Sequence, residues 1–225
     1  MLLALMLTVA SSPSAHGWQE VGRRDGVSVY FRERERDGNH ETLGVGVLAA
    51  PPWIVKPALD DVQAKTGRMP SLIEDHVIRR DARGVVVYNR TSAPVIADRD
   101  YTLRMFDDSF VGNDGDVVYV IRFHTANDEG PPPRSGVVRV PEIYGEWRLE
   151  SVAGGTMTRA SYFVYVDPGG SIPITIAQWG AQQMFAGVFD AVRTRVKDPA
   201  YRAQEPTRPT RVVARAAPLE GFAER

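Results

Sequence analysis

The sequence predicts an α+β fold in which a curved antiparallel β-sheet closes on one long C-terminal α-helix. Short runs of alternating apolar and polar residues recur from Trp18 to Asp167, which is the pattern of half-buried antiparallel strands. The last run, Thr156–Asp167, ends at the Pro- and Gly-rich segment 168–173. Apolar residues then recur at helical spacing as far as Lys197, which indicates a long amphipathic helix.

The composition fits one globular domain. Of the 225 residues, 43% are hydrophobic and 24% are charged, and both fractions are ordinary for a globular fold. The formal net charge is -1, so no bulk electrostatic attraction to nucleic acid or anionic membranes is expected. The chain has no cysteine, which excludes disulfides, thiolate metal sites and cysteine nucleophiles.

Residues 1–16 are predicted to be a signal peptide. The apolar run Leu2–Ala10 precedes small and polar residues, as in a secretory h-region with its cleavage zone, and it is too short to span a bilayer. We therefore expect a periplasmic or secreted protein. No Lys or Arg precedes the run. The alternative is a start codon placed too far downstream, in which case the protein is cytoplasmic.

Turn signals divide the body of the chain into strands. Asp25-Gly26 between alternating apolar residues predicts a β-hairpin, and the prolines before Trp53 predict a short helix over Trp53–Gln63. The predicted strands are Trp18–Gly22, Val27–Arg34, Glu41–Ala49, Ile73–Arg80, Arg83–Thr91, Arg99–Phe106, Asp116–Thr125, Gly136–Val152 and Thr156–Asp167. The Pro-rich segment Ala126–Arg134 is predicted to be a loop, because proline does not fit inside a sheet.

Alternate residues of a strand point to the same face of the sheet. In the long strands, one such face consists of large apolar side chains with a few hydroxyl groups. The residues on these strands to which we assign ligand binding are Tyr101, Leu103, Met105, Tyr119, Ile121, Trp147 and Tyr162. A concave face of this kind suits an apolar ligand that carries a polar end. Periodicity alone fits a second interpretation equally well, in which the face packs solidly on a helix.

The predicted C-terminal helix supplies the opposite wall. Its apolar stripe includes Phe185, Val188, Phe189, Val192 and Val196. Glutamines and glycines interrupt this stripe, and in a solid core they would leave gaps and unmatched donors. We therefore expect Trp179, Gln183 and Met184 to border a cavity. Residues 198–225 contain prolines and scattered arginines without periodicity and are predicted to be a disordered tail.

Five short motifs follow one another over residues 18–197. They are W-x-x-V-x-x-x-D-G-V-x-V-Y at Trp18–Tyr30, D-R-D-Y at Asp98–Tyr101, V-V-R-V at Val137–Val140, W-R-L-E at Trp147–Glu150 and D-P-G-G-S-I-P at Asp167–Pro173. In this order and spacing the set resembles a bacterial member of the START (StAR-related lipid transfer) domain family, within the helix-grip (SRPBCC/Bet v1-like) superfamily.

The resemblance implies a helix-grip fold over residues 17–197, with an internal tunnel for one lipid or other hydrophobic small molecule and no catalysis. We expect no cofactor, no metal and no nucleic-acid partner, and we expect a monomer that contacts membranes transiently. Cholesterol-binding relatives place a buried arginine six positions beyond the arginine of the R-D-F/Y motif, and counting from Arg99 that position is Met105. Arg99 and Asp100 are expected to be structural, and Gly169-Gly170 to be the hinge of a lid.

Catalytic alternatives rest on a few polar residues. The histidines His16, His40, His76 and His124 are isolated in sequence, which argues against a zinc or iron site. The carboxylate pairs Asp98/Asp100 and Asp107/Asp108 leave open a helix-grip enzyme, either a cyclase or a hydrolase, that acts on a hydrophobic substrate in the same cavity. Charged strand ends and turns explain these pairs as well. A solid-core interaction module without a ligand is a third alternative.

Overall fold

The computed structural model describes residues 17–34, 39–61, 71–93, 96–112, 115–167 and 174–213, with the side chains of residues 93, 96 and 174–179 left out. The predicted signal peptide and the predicted hinge Gly169-Gly170 lie outside this part of the chain. The strands are β1 Gln19–Arg24, β2 Val27–Glu33, β3 His40–Leu48, β4 Leu72–Asp81, β5 Gly84–Ala93, β6 Ile96–Asp107, β7 Phe110–Gly112, β8 Val117–Thr125, β9 Val138–Arg139, β10 Glu142–Val152, β11 Met157–Asp167 and β12 Val212–Val213. The helices are α1 Pro52–Asp60, α2 Ile174–Arg195 and α3 Pro199–Arg202.

These strands confirm the predicted α+β fold. The main path through the sheet is antiparallel, in the order β1-β2-β3-β11-β10-β8-β6-β5-β4. Beside it, β9 pairs in parallel with β6, and β7 joins β8 to β12. The long helix α2 follows the last strand of the main path. Within the described residues no helix combines the length and the apolar character needed to cross a membrane.

The first hairpin is the one that the sequence predicts. Asp25 and Gly26 have φ values of 48° and 76°, and both lie in the left-handed region that a two-residue hairpin turn of type I′ requires. The turn pairs Arg24 with Val27 and sets the register between β1 and β2.

The predicted strand Gly136–Val152 is wrong in its first part. Val138–Arg139 pairs in parallel with β6, whereas Glu142–Val152 pairs with β8 and β11. Pro141 lies between the two strands, and proline has no N–H to continue a hydrogen-bonded ladder. The chain therefore changes partner strand at this residue.

The prediction of a disordered tail is wrong for residues 198–213. Asp198 caps α3 by accepting a hydrogen bond from the Ala200 N–H at 2.9 Å. Tyr201 of α3 is buried and donates to Asp61 Oδ2 at 2.7 Å, and β12 pairs with β7. The domain thus extends beyond residue 197. The contacts that hold this segment are several residues apart, so the sequence shows no periodic pattern there. Residues 214–225 lie outside the part of the chain that the structure describes.

Helix α2 packs against β1, β2 and β3, and we call these four elements the packed half. Gly44 and Gly46 of β3 face the helix. A Cβ at Gly44 would overlap the ring of Phe185, and one at Gly46 would lie 2.9 Å from Phe189 Cε1. Because both positions are glycine, the two rings lie directly on the sheet, and both are fully buried. This half has a close-packed core.

Candidate functional site

A cavity of about 350 Å³ lies under the remainder of the sheet. Its walls come from the inner faces of β4, β5, β6, β8, β10 and β11, and α1 and α2 contribute Leu59, Met184 and Val188. We call β4, β5 and β6, with the cavity beneath them, the hollow half. Small-molecule sites in proteins have volumes of about 300–1,000 Å³, so the space fits one such ligand.

Most of the residues predicted to bind a ligand lie on this wall. They are Tyr101, Leu103, Met105, Ile121, Trp147, Tyr162 and Met184. Met184 is 37% exposed, so it borders both the cavity and solvent. Met105, at the position where the resemblance places an arginine in sterol-binding relatives, contributes an apolar side chain to the wall.

Two of the predicted residues lie elsewhere, and the side chain of a third, Trp179, is outside the description. Tyr119 is buried, and its hydroxyl donates to the Thr207 carbonyl at 2.9 Å. It shares the inner face of β8 with Ile121, but its hydroxyl bonds to the tail and it is not among the described residues of the cavity wall. Gln183 is half-buried on α2 and is not among the described residues of the cavity wall. Tyr119 and Gln183 therefore do not belong to the described wall of the cavity.

The register of the hollow half places three polar side chains side by side. Asp75 of β4 lies opposite Asn89 of β5, which lies opposite Tyr101 of β6, and all three line the cavity. We call them the polar row. Asn89 Nδ2 donates to Asp75 Oδ1 at 2.9 Å. The next row along the same strands is apolar and consists of Val77, Val87 and Leu103. The cavity therefore has a polar end and an apolar end.

Sequence analysis missed Asp75 and Asn89. Each lies two residues from an apolar residue of the same face, Val77 and Val87 respectively, so each shares the inward phase of its strand. A polar residue in the phase of an apolar face was the available signal. That the two residues are neighbours follows only from strand pairing.

Two phenols inside the cavity are held in the neutral form. Burial and, to a smaller extent, the nearby Asp75 carboxylate together raise the pKa of Tyr101 to about 12. Burial and then the proximity of Tyr101 raise the pKa of Tyr162. Among the described residues neither hydroxyl has a hydrogen-bond partner. The ring of Tyr162 stacks on Trp147 with centroids 4.4 Å apart, so its position is fixed by packing.

Arg99 and Asp100, expected to be structural, lie on opposite faces of β6. Asp100 is fully buried on the outer face and accepts from Arg139 Nε at 2.6 Å, from Arg139 Nη2 at 3.0 Å and from the Tyr88 hydroxyl at 3.0 Å. Burial raises the pKa of Asp100, but the hydrogen bonds from Arg139 and Tyr88 outweigh it and lower the pKa below the ordinary value. Arg99 lies at the cavity wall and donates to the Ala97 carbonyl at 3.0 Å.

The carboxylate pairs considered for catalysis lie away from the cavity wall. Asp98 is 3.9 Å from Arg90, Asp107 is 2.9 Å from Lys56, and Asp108 is 3.1 Å from Arg122. Each of these carboxylates faces a cation, as does Asp100. In the part of the chain covered by the structure, no group of three or more His, Asp or Glu side chains is placed to hold a metal ion.

Comparison with known proteins gives one sequence relative and a set of similar structures. No family model matches the chain. An uncharacterized protein of Pseudomonas aeruginosa is 27% identical over 177 residues, which cover 78% of this chain and 85% of that protein.

Two of the similar structures are named as StAR-related lipid transfer proteins. A STAR-related lipid transfer protein of Xanthomonas axonopodis, as a fragment, is 26% identical with a TM-score of 0.69, and the match covers 81% of this chain and 99% of that one. Human StAR-related lipid transfer protein 5 is 17% identical with a TM-score of 0.65, covering 81% of this chain and 87% of its own. At 17% identity, the likeness to the human protein is evidence for the fold and not for the function.

Proposed function

We propose that this chain, a bacterial START-like helix-grip domain by its fold and likenesses, binds one lipid or other hydrophobic small molecule in its cavity and carries it without changing it. The observation that supports this function is the cavity of about 350 Å³ with an apolar end and a polar end. Each buried methylene of a ligand contributes about 0.8 kcal/mol, so an acyl chain or fused-ring body binds without many polar contacts.

A second candidate is an enzyme, either a cyclase or a hydrolase, that acts on a hydrophobic substrate in the same cavity. The observation in its favour is that Asp75, Tyr101 and Tyr162 all line the cavity, and carboxylates and phenols serve as general acids and bases. The carboxylate pairs named above do not support it, because they lie elsewhere. The carrier is the better supported function, since the wall of the cavity is mainly apolar.

Native mass spectrometry of the protein purified from its own host separates the two functions. A carrier releases an intact lipid at a stoichiometry of one per chain, and the same lipid is recovered unchanged after incubation. An enzyme converts the bound compound, and the conversion stops in Asp75→Asn, Tyr101→Phe or Tyr162→Phe. Protein that carries no small molecule and takes up none from a lipid extract would contradict both functions.

Export, transient membrane contact and a monomeric state are further parts of the proposal. N-terminal sequencing of the protein from a periplasmic fraction should begin near residue 17, whereas an intact residue 1 in cytoplasm would contradict export. Light scattering should give the mass of one chain, 24.9 kDa less the cleaved segment. Transfer of a fluorescent lipid between vesicles measures the membrane step.

A further inference from the structure

We infer that the polar row, Asp75, Asn89 and Tyr101, is the site for the polar end of the ligand, and that it selects a head group that donates hydrogen bonds, an ammonium or a hydroxyl. A carboxylate or phosphate head is disfavoured. This inference rests on the proposed function and adds the chemical class of the cargo to it.

The orientation of the Asn89 amide supports an acceptor site. Asn89 is 8% exposed, and its Nδ2 donates to Asp75 Oδ1 at 2.9 Å and to the Tyr88 carbonyl at 3.1 Å. A primary amide has two N–H donors and one carbonyl oxygen. Because both donors are engaged, the hydrogen-bonding capacity that Asn89 adds to the cavity is its carbonyl oxygen.

The other two members of the row are consistent with this chemistry. An ionised carboxylate accepts and does not donate, and its two oxygens have about four acceptor positions, so the Asp75 carboxylate can accept from a ligand as well as from Asn89. The Tyr101 hydroxyl both accepts and donates. Two acceptors and one amphoteric group, all on the cavity wall, match a donor head.

Charge favours the same class of head group. An ammonium beside Asp75 gains an opposite charge in a site with less water than the bulk, where charge interactions are stronger. A carboxylate or phosphate in the same place adds a like charge, which disfavours the ionised form of both groups. A hydroxyl gains the hydrogen bonds without the charge.

Arg99 is the cation on the described cavity wall and would be the partner of an anionic head. It lies opposite Thr91, one row beyond Tyr101 toward the start of β6, and it donates to the Ala97 carbonyl at 3.0 Å. An anionic ligand would therefore place its head at Arg99 instead of the polar row. Variants at Asp75 and Arg99 distinguish the two positions.

The test compares probes that differ only in the head group. Dodecylamine, dodecanol and dodecanoate, each below its aggregation limit at neutral pH, are titrated into delipidated full-length protein by isothermal calorimetry. We expect dodecylamine and dodecanol to bind about tenfold or more tightly than dodecanoate, since hydrogen bonds to a charged group contribute about 1.5–3 kcal/mol. Asp75→Asn should weaken dodecylamine about tenfold and dodecanol much less.

Glu74→Gln is the matched control. Glu74 precedes Asp75 on the same strand but faces outward, where it pairs with Arg90 at 3.3 Å and Arg134 at 2.9 Å. The substitution removes the same charge and should leave the affinities for all three probes unchanged. Tyr101→Phe keeps Asp75 intact and should weaken dodecylamine and dodecanol several-fold, so it carries the test if Asp75→Asn does not fold.

Two results would overturn the inference while the carrier function stands. One is equal binding of the three probes, unaffected by Asp75→Asn and Tyr101→Phe. The other is tightest binding of dodecanoate with its loss in Arg99→Gln. Failure of all three probes to bind would instead contradict the proposed function.

Discussion

The packed half and the hollow half of one sheet are built differently. In the packed half, glycines at 44 and 46 let Phe185 and Phe189 of α2 lie directly on the strands. In the hollow half, the inner face carries larger side chains, such as Val87 and Leu103, and these side chains border the cavity. Small residues on the sheet, as well as large ones on the helix, therefore decide where the core is solid and where space remains.

The hollow half is held from its outer face. Residues 126–140, which we call the outer loop, pass beside β6 and include β9, which pairs with it. In this loop Asn127 accepts from the Thr102 N–H at 2.9 Å and donates to the Val140 carbonyl at 2.8 Å. Arg104 of β6 is buried and pairs with Asp81 and Glu129. Ionic and polar contacts therefore stabilise the strands that cover the cavity.

The comparison predicts its largest effect for aromatic side chains of the packed half. Phe189→Ala should lower the free energy of unfolding by about 3–5 kcal/mol, because it leaves a void in a close-packed core. Met105→Ala should lower the free energy of unfolding by only about 2 kcal/mol, which is the lower end of the range for Met→Ala changes in protein cores. The reason is that Met105 already borders the cavity. Urea unfolding at neutral pH measures both. Equal losses would mean that the two halves are packed alike.

The next effect concerns the ionic support of the hollow half. Asp100→Asn should lower the free energy of unfolding by roughly 3 kcal/mol at about pH 7, because it breaks a buried ion pair with Arg139. The pKa of Asp100 is lowered in the folded state. The carboxylate therefore makes its full contribution to the free energy of unfolding above the ordinary pKa of about 3.9, and this contribution is lost as the pH falls through the folded-state pKa. The difference between wild type and variant should therefore shrink below about pH 4. A difference that is constant from neutral to acid pH would contradict this account.

Enlarging one valine in each half gives a matched pair with a smaller effect. Val29 of β2 and Val87 of β5 are both buried, but only Val87 lines the cavity. Val29→Phe should cost about 1–3 kcal/mol through overpacking. Val87→Phe should change stability by less than about 1 kcal/mol, because the ring has space to enter, and it should reduce ligand binding. Thermal unfolding measures the change in stability, and native mass spectrometry measures ligand binding. If Val87→Phe destabilised the protein as much as Val29→Phe, the core would be solid in both halves.

The smallest effect concerns a tyrosine that sequence analysis assigned to the cavity. Tyr119→Phe removes one hydrogen bond to the Thr207 carbonyl and should cost about 0.5–1.5 kcal/mol. It should leave the affinity for the ligand unchanged, whereas Tyr162→Phe should lower it. Calorimetric titration of the two variants under the same conditions makes the comparison. A loss of affinity in Tyr119→Phe would place that side chain at the ligand after all.

Local signals in the sequence predicted much of the fold. Asp25-Gly26 fixed the first hairpin, and the alternation of Tyr101, Leu103 and Met105 identified an inner face that does line the cavity. These predictions succeeded because each depends on a few consecutive residues. The break at Pro141 was missed because strand-like residues lie on both sides of this single proline.

Contacts between distant segments could not be predicted in this way. The polar row depends on the register of three strands, and that register includes bulges such as the shift between Leu72 and Glu74. The tail depends on Tyr201 reaching Asp61, which lies 140 residues earlier in the chain. No local pattern encodes either contact.

A crystal structure of the protein loaded with the lipid from its own host tests the central claim most directly. We expect electron density for the lipid in the cavity, bounded by Val87, Leu103 and Trp147. The polar end of the lipid should lie within hydrogen-bond distance of Asp75 or Tyr101. Side chains that fill this space completely, or a ligand bound only on the outer surface, would contradict it.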